Sequence, residues 1–321
     1  MIERVLVPLD GSQIAEFTLP HAVAVARAFR AELLLLRVVG AAQGGGTGDS
    51  LEWRLRKAEA EAYLTRVETR LRGRGVAVKV AVATGRASDQ VLEIARRQAA
   101  DLIALSSHGE GGITEHRLGG TAAKVVSSAG RSVLLVTPWT APALAGVDHP
   151  YSRVMVPVDC SKRSEWALRQ AAAIARTSTA ELLMVHVVPQ VEVIARRVDG
   201  MEAPELARRL REANRAAAIA YLEERTGQIS APDLTVRYRV VENGHTGRTL
   251  QRVAEEENAS LVVFSAHGDS AGAEWPYGSV AGMLIAYGSV PLLVLQDLPS
   301  KGGVRRVQEG RPLQTVELEV R

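Results

Sequence analysis

Asp101-Leu102-Ile103-Ala104-Leu105-Ser106-Ser107-His108-Gly109, followed nine residues later by Gly119-Gly120-Thr121, is the stretch whose reading decides the fold. It reads as a buried strand, a glycine turn, a short loop and the small-residue start of a helix. The arrangement returns at Leu261-Val262-Val263-Phe264-Ser265-Ala266-His267-Gly268, again with nine residues before Gly278-Ser279-Val280. Bare backbone N–H groups at a positive helix end make such a junction a natural seat for phosphate. One glycine pattern is weak evidence; two in the same context are much stronger.

Working outward, the flanking elements repeat as well. Arg4-Val5-Leu6-Val7-Pro8-Leu9 is a short apolar run, as in a strand buried on both faces, and it ends at Asp10-Gly11-Ser12. Ser12 or Asp10 can cap the helix that follows, expected over 15–30. A second strand is predicted over 33–39, then a glycine-rich loop over 40–50. A charged helix follows over 51–72, with Leu51, Leu55, Ala58 and Ala62 on one face. A third strand is expected over 76–82, a turn and helix over 85–97, and a fifth strand over 132–136.

The pattern restarts after a proline-containing linker. Asp159 lies 149 positions after Asp10, and His186 lies 149 after Arg37; Gly244 and Gly268 lie 159 after Gly85 and Gly109. An offset that steps once means a duplicated domain, with ten extra residues between strands two and three of the second copy. Strands alternating with helices give an α/β fold of two tandem doubly wound, Rossmann-like domains, each with a five-stranded parallel sheet. The expected boundaries are 1–140 and 151–297, with a linker at 141–150 and a tail at 298–321. Ligands of such sheets sit beyond the carboxyl ends of the strands, where strand order reverses. Asp10 with Ser106 to Gly109, and Asp159 with Ser265 to Gly268, are placed there if strands one and four are neighbours.

Composition narrows the class. The chain's 46% hydrophobic and 23% charged residues suit a globular protein with real cores, and its length suits about two domains. A net charge of +3 is too small to argue for nucleic acid, and no basic cluster interleaves with aromatics. The single cysteine, Cys160, rules out an intrachain disulfide framework. No apolar run approaches a membrane span, and Met1 leads directly into a strand with no leader-like segment. These features predict a cytoplasmic protein with no membrane or nucleic-acid partner.

Together these residues resemble the universal stress protein family in its tandem form. Each copy has a strand ending V-P-x-D, at 7–10 and 156–159. Each has a serine or glycine followed by x-H-G at the end of strand four, then nine residues before the glycine pair. A last strand of the V-L-L-V type closes each copy, at 133–136 and 292–295. The resemblance implies ATP, or ADP or AMP, with Mg²⁺ able to accompany the phosphates. By position it implies Pro8, Asp10, Val38, Ser106, His108, Gly109, Gly119, Gly120 and Thr121 as nucleotide contacts in copy one. In copy two it implies Pro157, Asp159, Val187, Ser265, His267, Gly268, Gly278 and Ser279. It also implies that the last strands of the two copies meet about a pseudo-two-fold within one chain, so that the monomer resembles a dimer; a homo-oligomer stays open.

The sequence departs from the family's pattern in several places. The leading glycine of its phosphate motif is serine in both copies, Ser106 and Ser265. Copy one has Gly120 where a hydroxyl is expected. Copy two has the acidic residues Asp269 and Glu274 in its loop, and Cys160 in place of the glycine that follows Asp10.

Other readings of these residues stand beside that one. The aspartates could be helix caps alone. His108 and His267 could bind metal or phosphate, or could lock their turns; the turn role is favoured, and His108 with His116 lacks zinc-site spacing. Ser12 and Ser106 lack a recognisable base, so the chain is not expected to be an enzyme beyond weak ATP hydrolysis. Cys160 reads as inert packing rather than a redox thiol. The alternating Val316, Leu318 and Val320 predict a strand added to a sheet edge, with a disordered tail as the alternative. Two functions follow: a nucleotide-binding stress-response protein, or a module of the same fold that binds an unidentified protein partner or another ligand.

Overall fold

The computed structural model describes residues 2–40, 51–109, 118–137, 150–190, 197–198, 201–242, 244–268 and 276–296. The chain forms two compact units, one of Met1–Pro150 with the chain from Leu293, the other Tyr151–Leu292. The expected edge strand at 316–320, the linker at 141–149 and most of both nine-residue loops lie outside the described residues.

In the first unit the described strands are β1 (Arg4–Pro8), β2 (Glu32–Val39), β3 (Val78–Thr84), β4 (Leu102–Ser106) and β5 (Ser132–Val136). Their spatial order is β3-β2-β1-β4-β5, and every pairing is parallel. The chain winds outward from β1 in one direction and then from β4 in the other. The order therefore reverses between β1 and β4, which leaves a crevice beyond their carboxyl ends. Leu6, Leu33 to Leu36, Ile103, Leu134 and Leu135 are fully buried. Each such side chain contributes about 1.5–3 kcal/mol of burial, which is why these strands read as continuous apolar runs.

The second unit repeats the winding with β6 (Arg153–Pro157), β7 (Glu181–Val188), β10 (Val236–Glu242) and β11 (Leu261–Ser265), in the order β10-β7-β6-β11. The chain leading into β12 (Leu292–Leu295) runs beside β11, where Val262 N–H donates to Pro291 O at 3.0 Å. The extra residues between strands two and three are accounted for. They form a small antiparallel pair, β8 (Arg197–Val198) with β9 (Met201–Glu202), and lengthen the following helix. That helix, α7 (Ala203–Ile229), has 27 residues against 21 in its counterpart α3 (Leu51–Leu71).

Two expectations are corrected. The helix read as 15–30 is two pieces, α1 (Gln13–Glu16) and α2 (Thr18–Phe29). Pro20 has no N–H to donate to Glu16 O, so the hydrogen-bond ladder fails at Phe17. In the second unit Arg169 stands in place of Pro20, and α6 (Lys162–Ser178) runs unbroken. The packed face of α3 is also not the one read from Leu51. Its buried residues are Ala60, Leu64, Val67 and Leu71, while Leu51 is 74% exposed and Leu55 56%. Residues nine apart are two and a half turns apart, on opposite sides of a helix. Both faces carry the same spacing, and the sheet takes the one with the bulkier residues.

At the amino end of the strands the two units are built alike. Arg4 binds the Glu32 carboxylate and Gln98 O, and Arg153 binds Glu181 (2.8 Å) and Glu257 O. Burial works to raise the Glu32 pKa, but hydrogen bonds from Arg4 and Lys79 outweigh it and hold the carboxyl below its usual 4.5. A depressed folded-state value gives stability that is present above the unfolded pKa and lost as pH falls through the folded one. Replacing Glu32 with Gln should therefore lower stability at pH 7 by about 1–2 kcal/mol. Urea midpoints of the variant should fall less than wild type between pH 6 and pH 3; parallel curves would count against this ion pair.

Candidate functional site

The crevice of the first unit starts from the end of β1. After Pro8, the Leu9 N–H donates to Leu36 O at 2.8 Å, so strand pairing continues to the residue before Asp10. Gly11 then turns the chain with φ at +82°, a left-handed conformation that glycine adopts without strain. Asp10 Oδ1 accepts from Ser12 N–H (3.0 Å) and Ser12 Oγ–H (2.6 Å), and Ser12 Oγ accepts from Ala15 N–H at 3.1 Å. Ser12 is the helix cap, then, and Asp10 holds the cap in place. Its other oxygen, Oδ2, stands where a Cβ on residue 109 would have to sit. Only glycine lets the strand-four turn come this close to the carboxylate.

That turn is held by its own side chains. His108 N–H donates to Ser106 Oγ at 3.4 Å, and His108 Nδ1 lies 3.0 Å from Ser107 Oγ, with His108 buried. The chain returns from the nine-residue loop when Gly119 N–H donates to Ser107 O at 2.8 Å. Helix α5 (Gly120–Ser128) begins there with Gly119 as its N-cap, and no side chain makes a capping bond. Its first amides therefore face the crevice uncapped.

The second unit repeats the geometry atom for atom in places. Asp159 Oδ1 accepts from Ser161 N–H (3.0 Å), and Ser161 caps α6. Asp159 Oδ2 occupies the Cβ space of Gly268. Ser265 Oγ–H donates to His267 O at 2.6 Å, and Gly278 N–H donates to Ala266 O at 2.8 Å before α9 (Ser279–Tyr287). In both units the serine at the motif's leading position ties the turn to itself. A glycine there could not do so.

All nine residues singled out in the first copy, Pro8, Asp10, Val38, Ser106, His108, Gly109, Gly119, Gly120 and Thr121, line one cavity of about 550 Å³. The eight of the second copy, Pro157, Asp159, Val187, Ser265, His267, Gly268, Gly278 and Ser279, line another of about 570 Å³. Both volumes fall within the range of small-molecule sites. Sequence reasoning missed the walls on the helix side: Ala87, Val91 and Val125 in the first cavity, Thr246, Leu250 and Tyr277 in the second. It also passed over Arg37 and His186, which line the cavities and had served only to mark the repeat. Among the described residues no group of three or more His, Cys, Asp or Glu could hold a metal ion. Nor is any described helix long and apolar enough to cross a membrane.

A parallel sheet with a cavity at its switch point, entered by an uncapped helix start and an aspartate, defines a doubly wound α/β protein of the nucleotide-fold kind. The sequence model of the universal stress protein family matches residues 1–137 and 150–296, and the chain belongs to that family in tandem form. It is 27% identical over 140 residues to universal stress protein MJ0531 of Methanocaldococcus jannaschii, covering 42% of this chain and 82% of that one. To MJ0577 of the same organism it is 25% identical over 154 residues, covering 42% and 95%. Among solved structures, a universal stress protein from Archaeoglobus fulgidus superposes with a TM-score of 0.63 at 19% identity, covering 91% of this chain and 98% of that one. One from Pseudomonas aeruginosa gives 0.62 at 17%, covering 92% and 93%. At these identities the solved structures bear on the fold alone.

Cys160 holds the place of Gly11 and takes φ of +65°, which costs a residue with a Cβ about 1 kcal/mol or more. Burial, and then the charges of Asp159 and Glu165, push its thiol pKa up. Replacing Cys160 with Gly should therefore raise stability by about 0.5–1 kcal/mol, read as a higher melting temperature. Replacing Gly11 with Ala should lower it by a similar amount. A destabilised Cys160→Gly would mean that the thiol's packing outweighs the backbone strain.

Proposed function

We propose that the chain binds an adenine nucleotide in both cavities, as a binding protein of the stress response rather than as an efficient enzyme. The observation that carries this reading is the convergence of unlike groups on each cavity. An aspartate is pinned at the end of the first strand, a glycine turn lies against its carboxylate, and an uncapped helix start faces the same space. A carboxylate at a strand end suits ribose hydroxyls, and free helix amides suit phosphate oxygens. The apolar wall of Val91 and Val125 in one cavity, and of Leu250 and Leu284 in the other, suits the faces of a purine.

With one carboxylate among the described residues that line each cavity, Mg²⁺ would be held chiefly through the phosphates. Ser12 Oγ–H is committed to Asp10 and Ser106 Oγ accepts from His108 N–H, so each hydroxyl has a structural task. This favours retention of the nucleotide over its turnover.

Protein purified from cells, denatured and examined by mass spectrometry, should release ATP, ADP or AMP at one to two equivalents. Absence of nucleotide, together with no calorimetric binding of Mg-ATP, would favour the interaction-module reading instead. Within the nucleotide reading, Asp10→Ala and Asp159→Ala should each weaken binding in their own cavity by about tenfold or more while the protein stays folded. Gly109→Ala should act like Asp10→Ala, because the added methyl displaces the same carboxylate. Unchanged affinity in all three would remove the assigned site.

A further inference from the structure

We infer that α3 is a self-association surface, on which a second copy of this chain packs the same helix in parallel about a two-fold axis. The inference is independent of the nucleotide reading. Leu51, Leu55, Ala58, Ala62, Thr65 and Thr69 follow one another at alternating steps of four and three residues. At about 100° per residue they fall within about 40° of one line along the helix. The buried Ala60, Leu64, Val67 and Leu71 lie on the opposite side, so this line faces directly away from the sheet. Leu51 and Leu55 stand exposed on it.

Steps of four and three are the seam of a two-stranded coiled coil, in which each seam residue inserts between residues of the facing helix. The two threonines suit such a seam. Thr65 Oγ1–H donates to Glu61 O at 2.9 Å, and Thr69 Oγ1–H donates to Thr65 O at 2.8 Å. With the hydroxyls engaged on their own helix, covering this face strands no donor. The leucines are not required by the fold. Ala60 and Leu64 match the buried Ala218 and Leu222 of α7, 158 positions on. At that offset Leu51 becomes Arg209 and Leu55 becomes Ala213, and α7 still packs on its sheet.

Charge complementarity identifies the partner as a second copy. In a parallel pair, a residue flanking the seam on one side faces the residue five positions further along the partner helix. On α3 these pairs are Arg54 with Glu59 and Glu61 with Arg66. Both are of opposite sign, and a two-fold axis forms each of them twice. An antiparallel pair over the same seam would set Glu59 against Glu59 of the second copy, and Glu61 against Glu61. Within the helix Glu61 lies 3.9 Å from Lys57, an exposed pair too weak to hold it back. One helix face of this length buries about 1,000 Å² in total, at the low end for a specific interface, so the dimer is a weak one.

Sedimentation velocity of the full chain should show a monomer–dimer equilibrium over about 1–100 μM. Leu55→Asp should weaken the dimer by about tenfold or more, because it sets two carboxylates in the seam. Its circular dichroism should stay that of wild type, since the position is exposed in the monomer. Arg66→Glu should weaken the dimer by about tenfold through two repelling pairs. Adding Glu61→Arg to it should recover most of that loss, because the two positions face one another only across parallel helices. A dimer that Leu55→Asp leaves intact, or a double variant no stronger than Arg66→Glu, overturns the inference. So does a wild type that stays monomeric throughout, which would leave this face to a partner of another kind.

Discussion

The approach of a carboxylate to a backbone carbon is the constraint on which each unit's crevice depends. Asp10 and Asp159 hold the first residues of a helix with one oxygen and press the other into the space where residues 109 and 268 would carry a Cβ. Strand one, the helix after it and the turn after strand four are thereby fixed to one another by a single side chain. Parallel pairing of β1 with β4, and of β6 with β11, brings the two strand ends together, but pairing alone leaves the turns beyond them free. The glycine allows the last few ångströms, and the buried histidine with its neighbouring serine keeps the turn from relaxing away.

This explains how much of the site could be read from the chain. The aspartate, the glycine turn and the helix start are fixed by local chemistry, namely an end-of-strand cap, a missing Cβ and small residues at an N-terminus. Such signals survive in one dimension, and the two copies confirmed their register. The cavity walls did not come from local signals. Val91 and Leu250 reach the crevice because α4 (Ala87–Arg97) and α8 (Thr246–Glu256) pack over the sheet, and that follows from how far each helix is shifted along it. Nothing in their own sequence distinguishes wall from core.

The face of α3 shows the same limit from another side. Leu51, Leu55, Ala58 and Ala62 keep a helical spacing as regular as that of Ala60, Leu64, Val67 and Leu71, yet the latter set is buried. Periodicity detects a stripe but cannot choose between two stripes half a circumference apart; the sheet beneath chooses by volume. The break at Phe17 was legible in principle, since Pro20 forbids the bond that would have bridged it, and its absence from the second copy was visible as Arg169.

The two ends of each sheet have diverged unequally between the copies, and the reason is mechanical. At the amino end one arginine joins a neighbouring strand's carboxylate to a carbonyl at the end of a helix, so three elements share it, and both copies keep the arrangement. Asp101 and Ser260, at equivalent positions, both accept the first N–H groups of the first strand. Any change there loosens several elements at once. At the carboxyl end Gly11 has become Cys160, Arg37 has become His186 and Gly120 has become Ser279, with the strands beneath undisturbed. A side chain that projects from a rigid strand end into a cavity can change its charge and shape at little cost to folding. Divergence at that end changes the side chains that line the cavities while the strands beneath keep their parallel pairing.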